Sequence, residues 1–142
     1  VSAAVIRFGD WSSMMPALKS IRHRVFIVEQ GIPEALEWDE HDAVSVHALA
    51  LIDGQPAGCA RLLPDGHIGR MAVLPALRGQ GVGTALLHGL IDCARQRGLD
   101  RVQLHAQLHA LAFYEKAGFF AEGEDFDEVG IRHRRMSMIF VS

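Results

Sequence analysis

Lysine, cysteine and long apolar runs are scarce in this chain, and each scarcity excludes something. Two lysines, Lys19 and Lys116, stand among 14 basic residues, so arginine carries nearly all the positive charge. The two cysteines, Cys59 and Cys93, are too few for a disulfide framework and form no CxxC pair, which points to reduced thiols in a cytosolic protein. No apolar stretch approaches the ~20 residues of a membrane-spanning helix, and nothing resembles a secretory leader. A net charge of −3 gives no general pull toward nucleic acid. What remains is 142 residues, 49% apolar and 22% charged, the make-up of one soluble globular domain. The expected setting is the cytoplasm, with no nucleic acid and no membrane as partner.

The apolar pattern predicts the order of elements. Ala3 to Phe8 has strand character. Asp10 to Ser13 supplies capping residues, and Met15, Leu18, Ile21, Val25 and Val28 recur at helical spacing until Gly31 and Pro33 end the helix. Strands follow over Ser45 to Ile52, Ala57 to Leu63 and His67 to Val73, joined by Asp53-Gly54 and Pro64-Asp65-Gly66 turns. A helix from about Gly81 to Arg97 presents Leu86, Leu87, Leu90 and Ile91 on one face and stops at Gly98. Arg101 to Ala106 reads as a strand, His109 to Ala117 as a short helix, and Phe119 to Ala121 and Ile131 to Phe140 as strands. The order β-α-β-β-β-α-β-α-β-β predicts a single α/β domain over 1–142, a mixed, mostly antiparallel twisted sheet with helices on both faces. The apolar end Met136 to Val141 offers a strand through which a homodimer could pair.

Between the third strand of the meander and the long helix lies a loop with Gly79, Gly81 and Gly83, followed by Thr84. Glycines there let the backbone approach a ligand closely, and a helix start adds free N–H groups and partial positive charge. The stretch suits phosphate. A P-loop needs GxxxxGK[ST], and this loop has no lysine. A dinucleotide fingerprint needs GxGxxG opening a βαβ unit; here Thr84 takes the third glycine's place and a meander precedes it. The acyl-CoA pattern (Gln or Arg)-x-x-Gly-x-(Gly or Ala) is met by Arg78, Gly81 and Gly83.

These residues resemble the GNAT N-acetyltransferases, in particular the ElaA-like branch. The resemblance covers nearly the whole chain. It rests on RHRVFIVEQGIP (Arg22 to Pro33), EWDEHD (Glu37 to Asp42), GRMAVLPALRGQGVG (Gly69 to Gly83), LHAQLHALAFYEKAGF (Leu104 to Phe119) and FDEVGIRHRRM (Phe126 to Met136). It implies that the backbone of Met71, Ala72 and Val73 pairs with the pantetheine arm of acetyl-CoA. It also implies that the N–H groups of Arg78, Gly79, Gln80, Gly81, Val82, Gly83 and Thr84 hold the pyrophosphate. Gln107 stands where many relatives have asparagine and is placed to bond pantetheine. Tyr114 matches the tyrosine that faces the sulfur, as general acid or as hydrogen-bond donor to the thiolate; plain core packing is its alternative. Glu29, Glu128 and His133 match the branch's VEQ and E-x-G-I-x-H patterns, and Arg132 departs from it where proline is expected.

The implied reaction moves an acetyl group from acetyl-CoA to a primary amine, of a small molecule or exposed on a protein, by direct attack in a ternary complex and without a metal. An amine with a lysine-like pKa of ~10.4 is neutral in about one molecule in a few thousand at pH 7, a handicap of ~4–5 kcal/mol that a base can lower. The strand Ile68 to Val73 carries no carboxylate. Glu29, His105, Glu128 and His133 are the candidate bases, His133 foremost because histidine's ordinary pKa of ~6.5 suits the task. Two acidic runs, at Glu34 to Asp42 and Glu122 to Glu128, are expected to be loops that draw in a cationic acceptor. Glu29, Gln30, Asp39, Asp42, Glu128 and His133 would contact that acceptor, and Trp38 would add a cation–π wall. His105 and His109 are not read as a zinc pair, because a strand end separates them. A non-catalytic acyl-CoA sensor is the alternative function, and a nucleotide-binding regulator a third.

Overall fold

The computed structural model describes residues 3–141. Strand β1 (Val5–Gly9) leads to helix α1 (Trp11–Arg22), which Asp10 caps by accepting the Ser13 N–H at 2.9 Å. The helix runs on without a break into wider π-helical turns over His23–Glu29, so the apolar spacing out to Val28 is one continuous helical stretch. A four-residue helix α2 (Glu34–Glu37) precedes the antiparallel meander of β2 (Val46–Ile52), β3 (Gln55–Leu62) and β4 (Ile68–Val73). Then come α3 (Val82–Gln96), β5 (Arg101–Gln107), α4 (Leu111–Lys116), β6 (Phe120–Glu128) and β7 (Ile131–Ile139).

The expected element order stands, but the sheet is split. Four strands pair in the order β1-β2-β3-β4 and three in the order β5-β7-β6, every pairing antiparallel. A single parallel bridge, His67 to Gln103, joins the two halves at the start of β4. Beyond it β4 and β5 part.

Side-chain alternation along the meander assigns a helix to each face. Ala48 and Ala50 of β2 belong to the core beneath Leu86, Leu87, Leu90 and Ile91 of α3. Leu49 and Cys59 point the other way, toward Leu18 and Ile21 of α1 and Val25 of the π-helical turns. Each fully buried leucine contributes roughly 1.5–3 kcal/mol from removal of its side chain from water.

One sequence expectation is corrected here. The acidic run at Glu122 to Glu128 is not a loop but strand β6, because β7 sets arginines opposite it. Arg135 meets Glu122 at 3.5 Å and Arg132 meets Asp127 at 3.3 Å across the ladder. In the three-stranded sheet β7 lies between β5 and β6 with Met136 fully buried, while past Ser137 its described residues pair with β5 alone. No helix among the described residues is long and apolar enough to cross a membrane.

Candidate active site

Where β4 and β5 part, a cavity of about 1060 Å³ opens between the two sheets. Its floor is the free edge of β4. Ala72 and Val73 pair with Cys59 and Gly58 of β3 on one side, and past Ile68 no strand among the described residues covers the other side. An extended ligand chain can therefore add to this edge as a strand would. The ladder slips where Cys59 faces Ala72 but Arg61 faces Gly69, leaving an extra residue in β4. Arg70, at that bulge, has a φ of +49°.

At one end of the cavity the glycine loop turns into α3. Gly79 and Gly81 have φ of +79° and +82°, the left-handed region that side chains resist, and Gly81 is the residue capping the helix. The N–H groups of Gly79, Gln80 and Gly81 make no backbone hydrogen bond among the described residues, and those of Val82, Gly83 and Thr84 lie in the first turn, where a helix supplies no partner. Such a run of free donors at a helix start fits a diphosphate. Gln80, alone of this stretch, does not line the cavity. The Arg78 side chain takes a different path. It makes a two-point ion pair with Glu29, at 2.7 and 2.6 Å, and its Nε donates to the Val73 carbonyl at 3.0 Å. Gln30 and Gln107 likewise reach each other across the cleft, through a reciprocal amide pair at 3.0 and 3.3 Å.

Tyr114, on α4, enters the cavity edge-on to Phe113 and Phe119. Its hydroxyl has one weak partner, the Met71 sulfur at 3.9 Å. Burial pushes its pKa up to about 12, so at neutral pH it is a hydrogen-bond donor. Cys59 lies beneath the bulge outside the cavity, with its thiol also pushed up to about 12 by burial, which removes it as a nucleophile.

The second sheet supplies a histidine pair around one carboxylate. His133 Nδ1 lies 2.7 Å from the Ile131 carbonyl, an acceptor, so in the neutral ring Nδ1 carries the proton and Nε2 is the free nitrogen. Nε2 faces Glu128 Oε2 at 3.6 Å, while Glu128 Oε1 lies 3.0 Å from His105 Nδ1. The His105 hydrogen bond is the largest reason the Glu128 carboxyl sits below its ordinary range.

Three of the five carboxylates of the first acidic run are taken by the chain's own arginines. Glu37 and Asp42 are 2% exposed, and Arg22, itself 1% exposed, binds both at 2.8 and 2.7 Å. Asp39 takes Arg61 at 2.7 Å and Arg70 at 3.1 Å. Burial pushes the Asp39 carboxyl up, but the Arg61 hydrogen bonds and charge, with Arg70 behind them, outweigh it and hold it at about 2. Asp42 lies outside the cavity wall and leaves the set of acceptor contacts; Asp39 lines the wall with both oxygens already bonded. Trp38 stacks over Arg22 and Lys19 of its own chain, at 5.1 and 5.4 Å, rather than facing a ligand.

Arg61 and Arg70, which sequence reasoning missed, line the cavity beside Asp39. One signal was present. Glycine inside a strand, here Gly69 before Arg70, marks a bulge that re-aims its neighbour.

Residues 15–140 match the model of the acetyltransferase (GNAT) domain family. The chain is 37% identical over 127 residues to the Bacillus subtilis protein YyaT, covering 85% of each chain. It superposes on the crystal structure of an acyl-CoA N-acyltransferase from Pseudomonas aeruginosa with a TM-score of 0.85 and 34% identity, covering 96% of this chain and 99% of that one. The crystal structure of Escherichia coli ElaA gives the same TM-score of 0.85 at 30% identity, with the same coverage of 96% and 99%.

Proposed function

This chain belongs to the GNAT acetyltransferase family, and from that premise we propose that it is a cytoplasmic, acetyl-CoA-dependent N-acetyltransferase acting on a primary amine. The observation that carries the reading is the meeting of three features in one cavity: the free amides of the glycine loop, the open edge of β4, and the Tyr114 hydroxyl.

Acetyl-CoA supplies the thioester, whose carbonyl carbon bonds to the amine nitrogen as its bond to sulfur breaks. The chain's residues do the rest. The loop amides from Gly79 to Thr84 hold the diphosphate, and the free edge of β4 aligns the pantetheine arm. His133 Nε2, fixed as the free nitrogen by the Ile131 carbonyl, accepts the proton the amine must lose. Glu128, 3.6 Å away, compensates the imidazolium that forms. Tyr114 donates a hydrogen bond to the leaving sulfur. With its pKa near 12 against ~8.5 for a thiol, complete proton transfer is uphill by roughly 5 kcal/mol, so its role is charge stabilisation.

A free-thiol release assay across a panel of small amines and lysine peptides tests the reading. Release of CoA that requires both acetyl-CoA and an amine is expected. Binding of CoA with no turnover on any amine would replace the enzyme with a sensor.

A further inference from the structure

Arg70 is held in a conformation that needs a reason. A non-glycine residue in the left-handed region costs about 1–2 kcal/mol, and such strain persists where surrounding structure enforces it. The bulge turns the Arg70 guanidinium onto the Glu37–Asp39 segment. Nε reaches the Glu37 carboxylate at 3.1 Å and its carbonyl at 3.3 Å, and Nη2 reaches the Glu37 carbonyl and the Asp39 carboxylate, both at 3.1 Å. Nη1 makes no hydrogen bond to any described residue, although Arg70 lines the cavity.

The adjoining wall repeats the pattern. Arg61 is 5% exposed, lines the same cavity, and its Nε is a buried donor without a partner among the described residues. Both Asp39 oxygens are already taken by Arg61 and Arg70. Three guanidinium groups, Arg22, Arg61 and Arg70, are matched by three carboxylates, Glu37, Asp39 and Asp42, so net charge selects neither sign of ligand. The unused donors do select. Arg61 Nε is buried without an acceptor, and Arg70, its side chain 27% exposed, leaves Nη1 to the water of the cavity, where a ligand carboxylate can replace that water in a charge-assisted hydrogen bond.

The amine station lies on the same cavity at Glu128 and His133. Behind the His105 hydrogen bond, the Arg70 charge also helps to hold the Glu128 carboxyl down. One wall therefore offers a free guanidinium nitrogen, and another offers a carboxylate with a free imidazole nitrogen.

We infer that the acceptor is a small zwitterion of the amino-acid class, its carboxylate bound by Arg70 Nη1 and its amine presented to Glu128 and His133. The amine half rests on the transferase reading above; the carboxylate half stands on Arg70 alone. A polyamine has no acceptor for Nη1, and a protein lysine can offer it only a neutral peptide carbonyl.

Calorimetry on the CoA-saturated protein tests the inference separately from turnover. The probes are matched pairs that differ by a carboxylate: leucine with isoamylamine, phenylalanine with phenethylamine, and β-alanine with ethylamine. At least one amino acid is expected to bind about tenfold or more tightly than its partner amine, the effect of one charge-assisted hydrogen bond. Arg70→Gln is expected to erase that preference while leaving the weaker amine affinity in place, and Arg70→Lys to keep part of it. The inference is overturned if every amine binds as well as its amino acid, or if Arg70→Gln weakens both members of a pair equally. Should Arg70→Gln fail to fold, the wild-type pairs still decide. Acetyl-CoA turnover on the same probes separately tests the transferase reading: carboxylate-dependent binding without turnover keeps the carboxylate station and removes the enzyme.

Discussion

Arg78 grips Glu29 with both terminal nitrogens, at 2.7 and 2.6 Å, tying the first residue of the phosphate loop to the last turn of the π-helical segment. The pair is substantially exposed, so it contributes at most about 1 kcal/mol to the fold. Its larger consequence concerns the donor. Glu29 holds a negative charge beside the place where a CoA diphosphate would lie, and it occupies the one side-chain cation of the loop. Glu29→Gln is expected to lower the Kd for CoA about threefold or more at low salt, with a smaller gain at high salt. Calorimetry at two ionic strengths measures this; weaker binding would mean that the pair shapes the loop instead of competing with phosphate.

Tyr114 leads to a second prediction. Its hydroxyl lacks a strong partner and stays protonated up to about pH 12. Tyr114→Phe removes one hydrogen bond to a developing thiolate, worth roughly 1.5–3 kcal/mol, and is expected to lower kcat about 10- to 100-fold. The KM for acetyl-CoA should change little, because that bond forms as sulfur leaves. Unchanged turnover would return Tyr114 to a packing role.

The buried arginines make stability depend on charge. Arg22→Met leaves Glu37 and Asp42, which are 2% exposed, with one arginine partner each, Arg70 and Arg61, and is expected to cost about 3 kcal/mol in urea unfolding. Asp39 adds a pH dependence with a definite sign. Its pKa is lowered on folding, from 3.8 to about 2, so its stabilisation is complete above pH 4 and lost as pH falls through 2. The amount is about 2 kcal/mol, and Asp39→Asn should flatten that part of the acid-unfolding curve.

The legible parts of this fold are those written in local periodicity. The leucines of α3, the Asp53-Gly54 turn and the glycines before Val82 each specify structure within a few residues, and the element order follows from them. Acidic loops were harder to read because a carboxylate's meaning depends on partners distant in sequence. Arg22, Arg61 and Arg70 lie 15 to 33 residues from the carboxylates they bind. Ten acids in two runs look like a trap for cations. Folding spends most of them on the chain's own arginines and leaves Glu128 facing two histidines. The strained Arg70 was hidden for the same reason, since a bulge becomes visible only when the register of β3 against β4 is known.

His133 gives the prediction that bears most directly on the chemistry. A base matters in proportion to how firmly the acceptor holds its proton. Removing it should hurt strongly basic amines and spare weakly basic ones. His133→Gln is expected to lower kcat about 100-fold or more for an amine with a lysine-like pKa, with the KM for acetyl-CoA little changed. The deficit should shrink steadily as the acceptor's own pKa falls toward neutrality, where the amine arrives already deprotonated. Glu128→Gln should show the same trend with a smaller amplitude, because it acts on the imidazolium from 3.6 Å and not on the amine itself. A deficit of equal size for all amines would mean that His133 shapes the cavity and takes no proton. Its Nδ1 bond to the Ile131 carbonyl would then serve packing, and the base would have to be sought at His105.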